Sequence, residues 1–215
     1  MNFHQIDIDR WNRKPYFEHY IKEGKCSYSV TANLNVTALL NGLRKKNMKL
    51  YPAFIYMISR IVNSHIEFRT AFNDKGQLGY WEQMVPTYTI FHKEDKTFSA
   101  MWTESSSDFT LFYKNYLQDI DRYGDKKGLW VKENVPAHTF SISALPWVSF
   151  TGFQLNLYNG EYLLPIITLG KYFSDGEAVC LPISLQVHHA VCDGYHVSMF
   201  INELQKLADS FEEWL

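Results

Sequence analysis

Residues 178–196 read AVCLPISLQVHHAVCDGYH, an apolar run that passes through a polar turn into the start of a helical pattern. Residues 178–188 are an apolar run bounded by turn signals, which describes a strand. From about Gly194 to Trp214 the apolar positions are Val197, Phe200, Ile201, Leu204, Leu207 and Phe211, a helical stripe with Asp193 as its natural N-cap. Where strand gives way to helix lies the densest polar cluster of the chain, Gln186, His188, His189, Cys192, Asp193 and His196. Carboxyl ends of strands are where α/β proteins build their sites.

On its amino-terminal side, 163–173 reads as a further strand joined to 178–188 across the turn SDGE, and 139–144 and 153–158 read as strands as well. Upstream, 26–36 alternates Tyr28, Val30, Ala32, Leu34 and Val36 against polar neighbours, a half-buried strand. Thr37 is the expected N-cap of a short helix ending in RKKN, and Pro52 stands at the expected first position of a buried helix carrying Phe54, Met57, Ile58, Ile61 and Val62. Strands are expected at 77–81, 87–92 and 97–103. SSSD at 105–108 caps a helix with the stripe Phe109, Phe112, Tyr113, Tyr116, Leu117 and Ile120, ended by Gly124. This order predicts an α/β protein, a mixed sheet layered with helices.

The chain has 215 residues, 46% of them hydrophobic, with 11 Gly and 7 Pro, and is expected to fold as a single domain, 1–215, around its own core. Lys plus Arg count 21 against 23 Asp plus Glu, a net charge of −2, and neither sign gathers into a stripe, which argues against nucleic acid and anionic membrane as partners. The 3 cysteines, Cys26, Cys180 and Cys192, form no CxxC pair, so no disulfide framework or zinc ribbon is expected and a reducing compartment fits best. The opening MNFHQIDIDRW lacks the pattern of a leader, and no run approaches the roughly 20 apolar residues of a membrane span, so a cytoplasmic location is expected.

Residue by residue, the polar cluster admits several chemistries. A histidine at a strand end and an aspartate at a helix start serve structure alone as a hydrogen-bonded side chain and a cap. His188, His189, Asp193 and His196 are suitable zinc ligands, but adjacent histidines on a strand point to opposite faces, which weakens convergence on one ion. One neutral imidazole, with a pKa of about 6.5, serves as a general base near neutrality.

The pattern HHxxxDG at 188–194 resembles one shared by the chloramphenicol acetyltransferases, the catalytic domains of dihydrolipoyl acyltransferases and the condensation domains of peptide synthetases. The extended QVHHAVCDGYH is similar to the chloramphenicol acetyltransferases specifically. That resemblance continues through WNRKPYFEHY at 11–20, KLYPAFIY at 49–56, EFR at 67–69, TYTIFH at 87–92, TFSAMWTE at 97–104, SALPWVSF at 143–150 and PIITLGKY at 165–172. Condensation domains are far larger, and dihydrolipoyl acyltransferases normally carry further modules upstream.

The resemblance implies a two-layer α/β sandwich of the CoA-dependent acyltransferase fold, assembled as a homotrimer, that acetylates the primary hydroxyl of chloramphenicol with acetyl-CoA as cosubstrate and no metal. It implies His189 as general base with His188 structural, Ser143 as the hydroxyl donor to the oxyanion, Thr168 as the holder of a nearby water, and Asp193 paired with Arg13. The acceptor pocket it implies comprises Tyr20, Cys26, Thr89, Phe98, Leu155 and Leu157, with His19 where some members carry a plain aromatic. The coenzyme A channel comprises Tyr51, Trp147, Phe153, Lys171 and Tyr172. The site is expected to be shared, His189 from one chain facing a neighbour's pocket around Tyr20, Phe98 and Leu155. The alternatives are an acyl-CoA transferase for another hydroxyl or thiol acceptor, and a non-catalytic binder of drug or coenzyme A.

Overall fold

A computed structural model of the chain describes residues 2–157 and 160–215. In chain order the elements are β1 (Phe3–Gln5), α1 (Lys14–Glu18), a π-helical turn (His19–Glu23), β2 (Ser27–Asn35), α2 (Thr37–Lys45), α3 (Leu50–Ser64), β3 (Thr70–Phe72), β4 (Leu78–Trp81), β5 (Val85–His92), β6 (Thr97–Trp102), α4 (Phe109–Tyr123), β7 (Thr139–Leu145), β8 (Ile166–Gly170), β9 (Phe173–Asp175), β10 (Ala178–His188) and α5 (Gly194–Asp209). The main sheet runs β2-β10-β8-β7-β5-β6, with β9 folded back on β10, and β1-β4-β3 form a small second sheet. Within the main sheet β5, β7 and β8 are parallel and the remaining pairings antiparallel, the mixed sheet that the order of elements predicted.

Strand alternation gives the main sheet two unlike faces. Leu181, Ile183, Leu185 and Val187 of β10, with Phe140, Ile142, Ile167 and Leu169 of β7 and β8, join one core cluster with Phe54, Ile55 and Ile58 of α3 and Phe200 and Leu204 of α5. Burying each such side chain stabilises the fold by about 1.5–3 kcal/mol. The other face carries a row of hydroxyls in register, Ser143, Thr168, Ser184 and Thr31 on successive strands. Thr168, Ser184, Gln186 and His188 on that face are nevertheless buried.

Several local expectations hold. Asp108 caps α4, its carboxylate accepting from the Leu111 amide at 2.9 Å, and Gly124 is the residue after its last turn. The SDGE hairpin closes β9 onto β10 with Gly176 at φ +58, a conformation that glycine adopts without strain. Others are corrected. Val36, not Thr37, is the N-cap of α2; the Thr37 hydroxyl instead donates to Asn35 Oδ1 at 2.7 Å and accepts from the Val179 amide at 2.8 Å. Pro52 is the third residue of α3, which begins at Leu50.

The single strand expected at 163–173 is divided, β8 ending at Gly170. Pro182, next in register on β10, has no N–H to continue the ladder, and the Lys171 amide turns away to the Val148 carbonyl at 2.9 Å. Residues 153–157 are not a strand of either sheet, and position 158 lies outside the described residues. Their main chain bonds to side chains of β10 instead: Ser184 Oγ donates to the Phe153 carbonyl at 2.7 Å, and the Gln186 amide takes both main-chain groups of Leu155 at 2.8 Å.

Candidate active site

His189 lies just past the end of β10, in the turn that leads to α5. Its amide donates to the Cys26 carbonyl at 2.8 Å, extending the β2 to β10 pairing by one bond. Its ring is sandwiched among aromatics. Tyr20, from the π-helical turn, stacks on it with centroids 4.0 Å apart and 7° between planes, and Tyr28 leans against it at 5.2 Å and 53°. Nδ1 is buried without a hydrogen-bond partner among the described residues. His19 turns aside and pairs with Glu23 at 3.0 Å on the surface.

His188 is 2% exposed, and its Nδ1 accepts from the Ala190 amide at 3.1 Å. That bond needs an unprotonated Nδ1. Burial pulls the His188 pKa below its ordinary value, the Gly160 carbonyl opposing and the His189 ring reinforcing the shift. The two neighbouring imidazoles therefore differ, one locked into the sheet and one stacked at its edge.

Arg13, the residue before α1, reaches across to this turn. Nη1 donates to Asp193 Oδ2 at 2.9 Å, Nε to the Ala190 carbonyl at 3.2 Å and Nη2 to the His189 carbonyl at 3.4 Å. One guanidinium thus ties the helix-capping carboxylate to the backbone that carries His189. Asp193 Oδ1 accepts from the Tyr195 amide at 3.1 Å, and His196 lies with Nδ1 2.9 Å from the same oxygen and Nε2 3.7 Å from Glu67. Burial pushes the Asp193 carboxyl up, but the Arg13 hydrogen bond and the His196 charge outweigh it and hold it below the ordinary carboxylate value. His188, His189, Asp193 and His196 do not converge, and among the described residues no group of three or more His, Cys, Asp or Glu is arranged to hold a metal ion.

A second site lies where parallel strands part. The pairing of β5 with β7 ends at Tyr88 and Ile142, and the next residues, Thr89 and Ser143, become walls of a cleft of about 650 Å³. Ser143 Oγ and Thr168 Oγ1 are 2.9 Å apart; Thr168 is only 1% exposed, whereas Ser143 is half-buried and is a lining residue of the cleft. Tyr51, Phe98, Trp147, Lys171 and Tyr172 line the same cleft, Trp147 held edge-on against Phe91 at 4.5 Å. Burial raises the Tyr51 hydroxyl to about 12, the nearby Thr89 opposing the shift. The walls are mostly apolar and aromatic, with Lys96 and Lys171 as cations.

The residues singled out from the sequence therefore divide between two places. Arg13, Tyr20, Cys26 and Asp193 surround His189, while Tyr51, Thr89, Phe98, Ser143, Trp147, Lys171 and Tyr172 gather at the cleft. Tyr20, grouped with Phe98 and Leu155 in the expected pocket, is instead a neighbour of its own chain's His189. Phe153, Leu155 and Leu157 do not line the cleft; they lie on the segment that begins against Ser184 and Gln186. Ser184 is opposite Thr168, and His189 is five positions further along an antiparallel strand, so at about 3.3 Å per residue the imidazole backbone is on the order of 16 Å from the Ser143–Thr168 pair. Tyr28 and Ser184 have surroundings that no local motif announced, because their partners come from other parts of the chain.

A family model described as chloramphenicol acetyltransferase matches residues 1–205. A chloramphenicol acetyltransferase of Clostridium butyricum is 58% identical over 216 aligned positions, spanning 100% of this chain and 99% of the relative. The chain belongs to the chloramphenicol acetyltransferase family. It is thereby an acyltransferase. A Staphylococcus aureus chloramphenicol acetyltransferase is 46% identical, with 100% of each chain covered. Among solved structures, a chloramphenicol acetyltransferase superposes with a TM-score of 0.89 over 96% of this chain and 100% of that one at 21% identity. A dihydrolipoamide acetyltransferase of Azotobacter vinelandii superposes at 0.67 over 87% and 83% with 16% identity, a likeness of fold. The two-layer α/β acyltransferase architecture agrees with both. In the family's terms, the HHxxxDG pattern is the β10–α5 junction, and the serine of SALPW stands at the cleft.

Proposed function

We propose that the protein transfers the acetyl group of acetyl-CoA directly to the primary hydroxyl of chloramphenicol, with His189 as general base, in a homotrimer whose sites are each built from two chains, in the cytoplasm. The reading that carries this is the separation within one chain of the candidate base from the candidate oxyanion donor. A base at one end of the sheet and a hydroxyl pair at the mouth of an apolar cleft complement each other when a neighbouring chain brings the two together. A ring of heterologous contacts does that in every interface.

In this mechanism the neutral imidazole of His189 takes the hydroxyl proton while that oxygen attacks the thioester carbonyl. The Ser143 hydroxyl, oriented by Thr168, donates to the resulting oxyanion; a donor of this kind is typically worth about 10²–10³ in rate. Collapse of the tetrahedral species breaks the carbon–sulfur bond, and the coenzyme A thiolate recovers the proton from His189. The aromatic cleft with Tyr51, Trp147 and Tyr172 suits a pantetheine arm, and Lys171 suits a phosphate. Thr89 and Phe98 suit the nitrophenyl end of the acceptor. Arg13 and Asp193 touch neither reactant and act by fixing the turn.

The test is thiol release from acetyl-CoA with and without chloramphenicol. Release that requires the drug and yields its acetyl ester supports the reading. Release with other hydroxyl or thiol acceptors but not the drug would replace the acceptor, and binding without release would make the protein a non-catalytic binder.

A further inference from the structure

We infer that Gln186 and Ser184 are positioning residues that divide the two substrate sides between them, Gln186 holding Leu155 for the acceptor and Ser184 holding Phe153 for the thioester. This rests on the functional reading above and on the places that the family resemblance implies for the two residues, Leu155 in the acceptor pocket and Phe153 in the coenzyme A channel. Both side chains belong to the hydroxyl-bearing face of β10, two positions apart, and are buried at 5% and 2% exposure. Phe153 and Leu155 are also two apart, so an extended segment laid along β10 presents its main-chain groups at the same spacing. Ser184 Oγ donates to the Phe153 carbonyl at 2.7 Å, Gln186 Nε2 to the Leu155 carbonyl at 2.8 Å, and the Leu155 amide to Gln186 Oε1 at 2.8 Å.

The orientation of the Gln186 amide is fixed by its partners. A main-chain N–H only donates and a carbonyl only accepts, so Oε1 must face the Leu155 amide and Nε2 its carbonyl. Ser29 Oγ on β2 donates to the same Oε1 at 3.2 Å, anchoring the clamp to a second strand. A residue with no donor and acceptor of that reach leaves Leu155 without its two bonds. A buried glutamine in the middle of an apolar strand is costly unless its amide is satisfied in this way. The segment is thus set by side chains rather than by a backbone ladder, which is why substitution at two points can move it locally without dismantling the sheet.

The experiment measures amide hydrogen exchange of residues 153–157 and both Michaelis constants in wild type, Gln186→Met and Ser184→Ala. In Gln186→Met, protection of the Leu155 amide should be lost and KM for chloramphenicol should rise about tenfold, the usual scale for losing a buried clamp of this size, with KM for acetyl-CoA within about twofold. Ser184→Ala should reverse the pattern, and Ser184→Thr, which keeps the hydroxyl, should restore it. If Gln186→Met does not fold, Gln186→Asn replaces it, keeping the amide but falling one methylene short. Unchanged Leu155 protection would overturn the clamp. Both constants rising together in each variant would overturn the division of roles. A wild type that does not acetylate chloramphenicol would instead overturn the functional reading, seen before any variant is compared, and exchange would still decide the clamp.

Discussion

The ring of Tyr20 lies flat against that of His189, with centroids 4.0 Å apart and 7° between the planes. The stack covers one face of the imidazole and restricts its rotation, while the hydroxyl of Tyr20 plays no part in the contact. Tyr20→Phe should therefore keep kcat within about twofold, and Tyr20→Ala should lower it about tenfold, from an aromatic pair worth roughly 0.5–1.5 kcal/mol. Steady-state kinetics on both variants checks this. Equal losses in Phe and Ala would make the hydroxyl, not the stack, the contribution of Tyr20.

Arg13 and Asp193 should couple. Asp193→Ala removes the partner of a guanidinium only 14% exposed, and Arg13→Ala frees the carbonyls of His189 and Ala190 as well as the carboxylate. Each single variant should lower both stability and kcat, and the double variant should fall short of their sum by about 1–2 kcal/mol in a denaturation cycle, less than for a fully buried pair because Asp193 is 40% exposed. Strict additivity would count against the pair as the support of the turn.

The sequence made β10, the turn and α5 legible because a bounded apolar run, a polar break and an aspartate cap all agree there. The segment 153–157 misled for a physical reason: Phe153, Leu155 and Leu157 alternate as a strand would, but their main chain is satisfied by Ser184 and Gln186 side chains, which local pattern cannot reveal. β1 and β3, three residues each, are too short for a period to register, and Gly79 between them matters through its lack of a Cβ, which would meet the His4 carbonyl oxygen. The gap between His189 and Ser143 follows from β10 running antiparallel to β8, a relation between distant strands that neither motif contains.

Acid should destabilise the fold through His188, whose pKa, like that of His138, is lowered by burial. Its folded-state pKa lies below the ordinary 6.5 because burial penalises the charged ring. The unfolded chain then binds a proton that the folded chain refuses, so stability is whole above about pH 6.5 and declines as pH falls below it, until the folded form protonates too. Denaturant midpoints measured from pH 7.5 down to 5.5 should fall more steeply in wild type than in His188→Gln. Parallel curves would show that another group governs this window.

A whole site should need two chains. His189→Ala should abolish nearly all turnover, and Ser143→Ala should lower it about 10²–10³-fold, if one removes the proposed base and the other the proposed oxyanion donor. Within one chain these groups stand at different places on the sheet, so a single folded chain cannot bring its own pair to one substrate without rearrangement. Co-expressed in equal amounts, the two variants should form mixed trimers in which about half of the facing bases and half of the serines are intact, so that roughly a quarter of the interfaces hold a complete site. Purified mixtures, with mixing verified by native mass spectrometry, should then regain about a quarter of wild-type turnover, well above either variant alone. Activity no greater than the average of the two parents, in confirmed mixed trimers, would mean that each chain completes its site by itself and that the separation seen along β10 is closed by a rearrangement within the chain.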